Sequence, residues 1–144
     1  MTYFKYGTSN LVLIKGMMLL IFTMLISSSG FSQTAESLVE SGKLKLKTKD
    51  IDAALNDFTN AIKLNPKYEL AYVNRALCRM AQGKWEQAIP DCNKALEINS
   101  KQAVAFFVRG CAKANTQKNG CDDLRKSLSL GFAQAQQGLN QFCN

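Results

Sequence analysis

AYVNRALCRMAQGKWEQAIPDCNKALEINS, residues Ala71 to Ser100, reads as two short helices joined by a tight turn. Tyr72, Ala76 and Met80 recur at helical spacing in the first half; Ala88, Cys92 and Ala95 share one face in the second. Gly83 breaks the chain between them. Neither helix can bury its apolar face alone, so the unit needs neighbours of its own kind.

The chain supplies them at a fixed interval. Gly42, Ala76 and Gly110 are all small and lie 34 residues apart, and the large apolar Leu38, Tyr72 and Phe106 keep the same spacing. Ala54 with Ala88, Phe58 with Cys92, Ala61 with Ala95, and Pro66 with Ser100 repeat it. A third unit is shorter between its helices: Gly120, Leu124 and Ser127 keep the offsets of Ala88, Cys92 and Ala95 two residues early. Leu130-Gly131 closes that helix, and Phe132, Ala135, Leu139 and Phe142 form the stripe of a last one.

A 34-residue helix–turn–helix period with small, large and proline positions in register resembles the tetratricopeptide repeat over roughly Ala35 to Leu130. The expected fold is all-α, a solenoid of about three repeats (35–68, 69–102, 103–131) and a capping helix at 132–143, within a domain of 33–144. The small residues Gly42, Ala76, Gly110, Ala54 and Ala88 let paired helices approach, and Phe58 fills the seam to the next unit. Ser41 and Lys45 stand where the family prefers apolar residues, which marks the first unit as a weakened terminal one. The run Lys43 to Lys47 alternates like a strand, but the repeat register carries a helix through it and leaves its lysines on a solvated face. Pro90 lies near a helix start, where a local kink is expected rather than a break.

The resemblance implies a protein-interaction scaffold whose first helices line a concave groove for an extended peptide or a helix. The groove positions are Val39, Lys43 and Leu46, then Val73, Asn74, Leu77 and Met80, then Val104, Phe107, Val108 and Cys111. Members that clamp a chaperone's C-terminal carboxylate use Lys, Arg and Asn there. Asn74 matches that pattern, whereas Val104 and Val108 stand where its basic residues would be, so the groove from the second unit onward is apolar. Two roles follow: an adaptor of the cell envelope, or a structural, self-associating module whose groove is filled within its own assembly.

The envelope enters through residues 1–32. Lys5 and Lys15 precede an uncharged run from Gly16 to Ile26, then small residues Ser27 to Gly30, which together make a secretory signal peptide of the bacterial type with its cut before Gln33. The run is well short of the roughly 20 residues that span a bilayer, so an uncleaved anchor is the lesser reading. Loss of those two lysines leaves 16 basic and 11 acidic residues, a net charge of +5 in place of +7. The remaining lysines are scattered, without the basic stripe and interleaved aromatics of a nucleic-acid surface.

Five cysteines and no histidine complete the inventory. Without histidine the commonest general base and metal ligand are missing, and no phosphate-cradling or nucleophile-elbow motif is present, so neither an enzyme nor a cofactor is expected. Cys121 lies ten residues before the Gly131 turn and Cys143 twelve after it, so an antiparallel helix pair brings them nearly level and a disulfide is expected there. Cys92 reads as core, Cys78 points away from it, and Cys111 falls near the concave face. Asp122 and Asp123 read as favourable charges near a helix N-terminus.

Overall fold

The computed structural model describes residues 33–143, so the signal peptide expected at 1–32 lies outside the described residues. Seven helices follow one another, with no strand among the described residues: α1 Ala35–Lys47, α2 Ile51–Leu64, α3 Glu69–Ala81, α4 Trp85–Ile98, α5 Ala103–Asn115, α6 Cys121–Ser129 and α7 Ala135–Phe142. The all-α solenoid expected from the period is what forms. The Lys43–Lys47 alternation is helical, and α4 runs unbroken through Pro90. The last helix starts three residues later than expected, since Phe132 lies in the turn before it.

Helix starts and turns repeat with the units. Thr34 and Ser37 form a reciprocal capping box on α1, and Asp50 accepts from the Ala53 amide at the start of α2. Asn65 and Asn99, 34 residues apart, each accept from the amide two residues on, at 3.0 and 3.1 Å. This local turn ends one unit and starts the next. Lys49, Gly83 and Gln117 share another register position and all have φ between 57 and 70°. That left-handed turn between paired helices is cost-free only at Gly83. At the end of α6, Gly131 takes φ 90°, with Phe132 N–H donating to Ser127 O and Gly131 N–H to Leu128 O. These are the two bonds of a glycine-terminated helix.

Packing gives the stack its curvature. Each helix packs against the next, and the odd-numbered helices also touch in a row, α1 on α3, α3 on α5 and α5 on α7. The even-numbered helices make no such backbone approach to one another. A ribbon of helices closer along one edge than the other bends toward the closer edge, so α1, α3, α5 and α7 line the inside of the curve.

At each helix crossing a small residue faces a larger one. A β-carbon on Gly42 would lie 2.5 Å from the Phe58 ring, and one on Gly110 would lie 2.8 Å from Leu124 Cγ. In the middle unit the small residue is Ala76, which already has that carbon, and the larger position holds only Cys92. Volume is thus shared between the two positions in each unit. Phe58, Cys92 and Leu124 are all fully buried, and Phe58 alone contributes about 1.5–3 kcal/mol.

The second recurrent feature is polar. Asp57, Asp91 and Asp123 are buried on the outer helices and bound by cations from the inner ones. Asp91 takes a two-pronged contact from Arg75 at 2.7 and 2.9 Å and a third from Arg79 at 2.7 Å. Asp123 takes the same from Arg109, plus Lys113 at 2.7 Å. Asp57 receives Ser41 Oγ at 2.7 Å and Lys45 at 2.6 Å. The expectation for Ser41 and Lys45 is corrected: they occupy the register of Arg75/Arg79 and Arg109/Lys113, polar in every unit, and do not mark a weakened repeat. Lys45 is correspondingly bound inward. Asp123 is likewise no mere helix-end charge, whereas its exposed neighbour Asp122 pairs with Arg125.

Candidate partner-binding face

The inner surface is made of one stripe from each odd-numbered helix. Val39, Lys43 and Leu46 share a face of α1 because steps of four and three residues return to nearly the same angle. The 34-residue period puts Val73, Leu77 and Met80 on that face of α3, and Phe107 and Cys111 on that of α5.

Burial divides these positions. Lys43, Leu46, Asn74, Leu77, Met80, Val104 and Phe107 are half-buried and retain accessible surface. Val39, Val73, Val108 and Cys111 are buried. These four are packing residues rather than groove lining. Val39 joins the core around Phe58, Val73 that around Tyr72, and Val108 that around Cys92. The reason is the close approach of neighbouring inner helices, which turns the edges of each stripe inward. Cys111 is covered by α7, where a β-carbon on Gly138 would lie 3.7 Å from its sulfur. Phe107 meets Phe132 at 5.1 Å between ring centroids, so the α5 end of the face is partly occupied by the chain's own C-terminal segment.

Little cationic charge reaches this face. Arg75, Arg79, Arg109, Lys113 and Lys45 lie about 200° round their helices from the 43-type positions, and carboxylates of the outer row hold all five. Lys43 pairs with Glu40 at 2.7 Å. Asn74 turns its amide back onto Leu70 O at 2.7 Å. Arg109 is further tied to Asn93 in the preceding unit. Sequence reading passed over these pairs, although Asp57 and Asp91, Arg75 and Arg109, and Arg79 and Lys113 each keep the 34-residue interval.

Cys121 and Cys143 are joined in a disulfide with their Cα atoms 5.8 Å apart. Cys78, Cys92 and Cys111 are free and buried. Cys78 packs in the core of the first unit and Cys92 in the next. Burial pushes their thiols up, to about 11 for Cys78 and Cys111 and about 12 for Cys92. All three are therefore protonated at neutral pH and poor nucleophiles. Among the described residues no group of acidic or cysteine side chains is placed to hold a metal.

Tetratricopeptide repeat models match residues 35–68 and 70–102. The OM64 TPR domain of Arabidopsis is 31% identical and superposes with a TM-score of 0.68, over 75% of this chain and 95% of that domain. The chain belongs to the tetratricopeptide-repeat family. A further likeness of this repeat protein is to the second TPR domain of human RPAP3, solved in complex with the HSP70 peptide SGPTIEEVD. It is 26% identical, with a TM-score of 0.71 over 76% of this chain and 95% of that one. The E3 ubiquitin-protein ligase CHIP of Arabidopsis thaliana is 33% identical over 102 residues, which are 69% of this chain. The chain spans 37% of that relative's length.

Proposed function

We propose that this tetratricopeptide-repeat protein is a non-catalytic scaffold that receives an apolar peptide or amphipathic helix on its inner face. The observation that carries the reading is the accessible row Leu46, Leu77, Met80, Val104 and Phe107 on α1, α3 and α5. Relatives of this architecture hold peptides, as RPAP3 does with SGPTIEEVD. This chain's face offers a different chemistry. The clamp-type positions 104 and 108 are valines, Val108 is fully buried, and the nearby arginines are already bound to aspartates. A partner would therefore be held by burial of its own apolar side chains rather than by its terminal carboxylate.

The same reading puts the protein in the cell envelope of a bacterium, as an exported adaptor. Lys5, Lys15, the apolar run from Gly16 to Ile26 and the small residues before Gln33 support it, as does the disulfide, a bond that persists in oxidising compartments. Self-association, with a second copy filling the face, is the other arrangement this surface permits.

Calorimetric titration separates the apolar reading from carboxylate clamping. SGPTIEEVD and its C-terminally amidated form should bind equally weakly, and tight binding abolished by amidation would overturn the reading. Capture from envelope extract then identifies the partner. Met80→Glu should lose it while the chain stays folded, and unchanged capture by the folded variant would exclude this face.

A further inference from the structure

The C-terminal helix is held in two different ways, and their imbalance has a consequence. Its own buried residues are only Ala135 and Gly138, with half-buried Phe132, Leu139 and Phe142 beside them. At eight residues it is too short to persist as a helix away from the stack. The covalent tie sits at its far end, where Cys143 at the α7 C-terminus joins Cys121, the first residue of α6. Both bridged residues are partly exposed. Beneath α7 lie Leu124 and the Cys111 thiol. Gly138 crosses them so closely that a β-carbon there would lie 2.9 Å from Leu124 Cδ2.

We propose that the Cys121–Cys143 bridge is a redox latch that keeps α7 over the third unit, and that its reduction by a dithiol uncovers Cys111, Leu124 and the α5 end of the inner face. One thiolate of the reductant attacks one sulfur of the bridge, giving a mixed disulfide and releasing the other cysteine as a thiolate. The reductant's second thiolate then displaces the protein sulfur. Two electrons pass to the protein, which ends with two thiols, and the dithiol becomes a disulfide. Release also separates Phe132 from Phe107, so the apolar surface gains area where the proposed binding face ends. The latch holds or fails whatever partner that face receives.

The three buried thiols report on it. In the full chain, oxidised or treated with dithiothreitol, alkylation of each cysteine is followed by peptide mass spectrometry, together with hydrogen exchange over 132–143. Reduction should speed Cys111 modification at least tenfold and release protection of α7, while Cys78 and Cys92 stay as slow as before. Cys143→Ser should give the same pattern without reductant. The proposal is overturned if Cys111 stays as protected as Cys78 and Cys92 once both bridge sulfurs are alkylated. It is equally overturned if all three accelerate together, which would mean general unfolding, or if Cys121 and Cys143 are free thiols before reductant is added.

Discussion

A β-carbon at Gly42 has nowhere to go but into the Phe58 ring, so Gly42→Ala should cost about 1–3 kcal/mol in urea denaturation. The middle unit makes the stricter test, because Ala76 and Cys92 divide the same space differently. Cys92→Leu alone should overpack the crossing, and Ala76→Gly alone should lower stability by about 1 kcal/mol as a glycine within a helix. Combined, they recreate the Gly110–Leu124 arrangement, and a double-mutant cycle should show favourable coupling of at least about 1 kcal/mol. Asp123 carries a pH dependence of definite sign. Burial tends to raise the Asp123 pKa, but hydrogen bonds from Arg109 and Lys113 outweigh it and hold the carboxyl below its ordinary 3.8. A folded-state pKa below the unfolded one gives stability that is complete above about pH 4 and is lost as pH falls through the folded value. Melting temperature should therefore drop below about pH 4, and Asp123→Asn should be less stable at pH 7 but lose less on acidification.

Among the elements, the turns and the last helix are where local rules and packing pull apart. Gln117 adopts a left-handed conformation at the position where the middle unit has Gly83. Gln117→Gly should raise stability by about 0.5 kcal/mol, the relief of that conformation less glycine's greater unfolded-state entropy. Chemical denaturation resolves a change of that size when compared with Gly83→Ala, which should move the opposite way. Removal of the bridge by Cys143→Ser should cost up to about 3 kcal/mol, since it frees a separation of 22 residues in the unfolded chain. The loss should concentrate in α6 and α7, because a repeat stack couples mainly nearest neighbours. Hydrogen exchange by segment distinguishes this from an even loss over α1 to α5.

For the molecule as a whole, the question is whether the inner face stands open or is covered by a second copy. Phe107 is a poor probe because it also stacks on Phe132, so a charge there would disturb the C-terminal segment in either case. Met80 lies on the same face without that contact in the tail. Met80 also packs against the Ala76–Cys92 core, so some loss of stability is expected in either case. In an adaptor Met80→Glu should leave the mass unchanged and abolish partner capture. In a self-covered assembly it should halve the mass measured by light scattering. The net charge of +5 expected after loss of the leader is not gathered on this face, since the inner-row arginines are held in ion pairs with buried aspartates of the outer row.

The amino-acid sequence by itself determined the repeat. Small residues at 42, 76 and 110 must recur wherever two helices cross, so the period is written in residue size and can be read without coordinates. The level placement of Cys121 and Cys143 about Gly131 was legible for the same reason, since helical rise is constant along the chain. Only the tertiary structure decided which members of each stripe remain accessible. A stripe assigned from one helix includes edge residues such as Val39, Val73 and Val108, and whether a neighbour buries them depends on how closely the next helix approaches. It also decided that Arg75, Arg109 and Lys45 pair with buried aspartates of the neighbouring outer helices, because a side chain's partner is fixed by the helix across from it and not by its own.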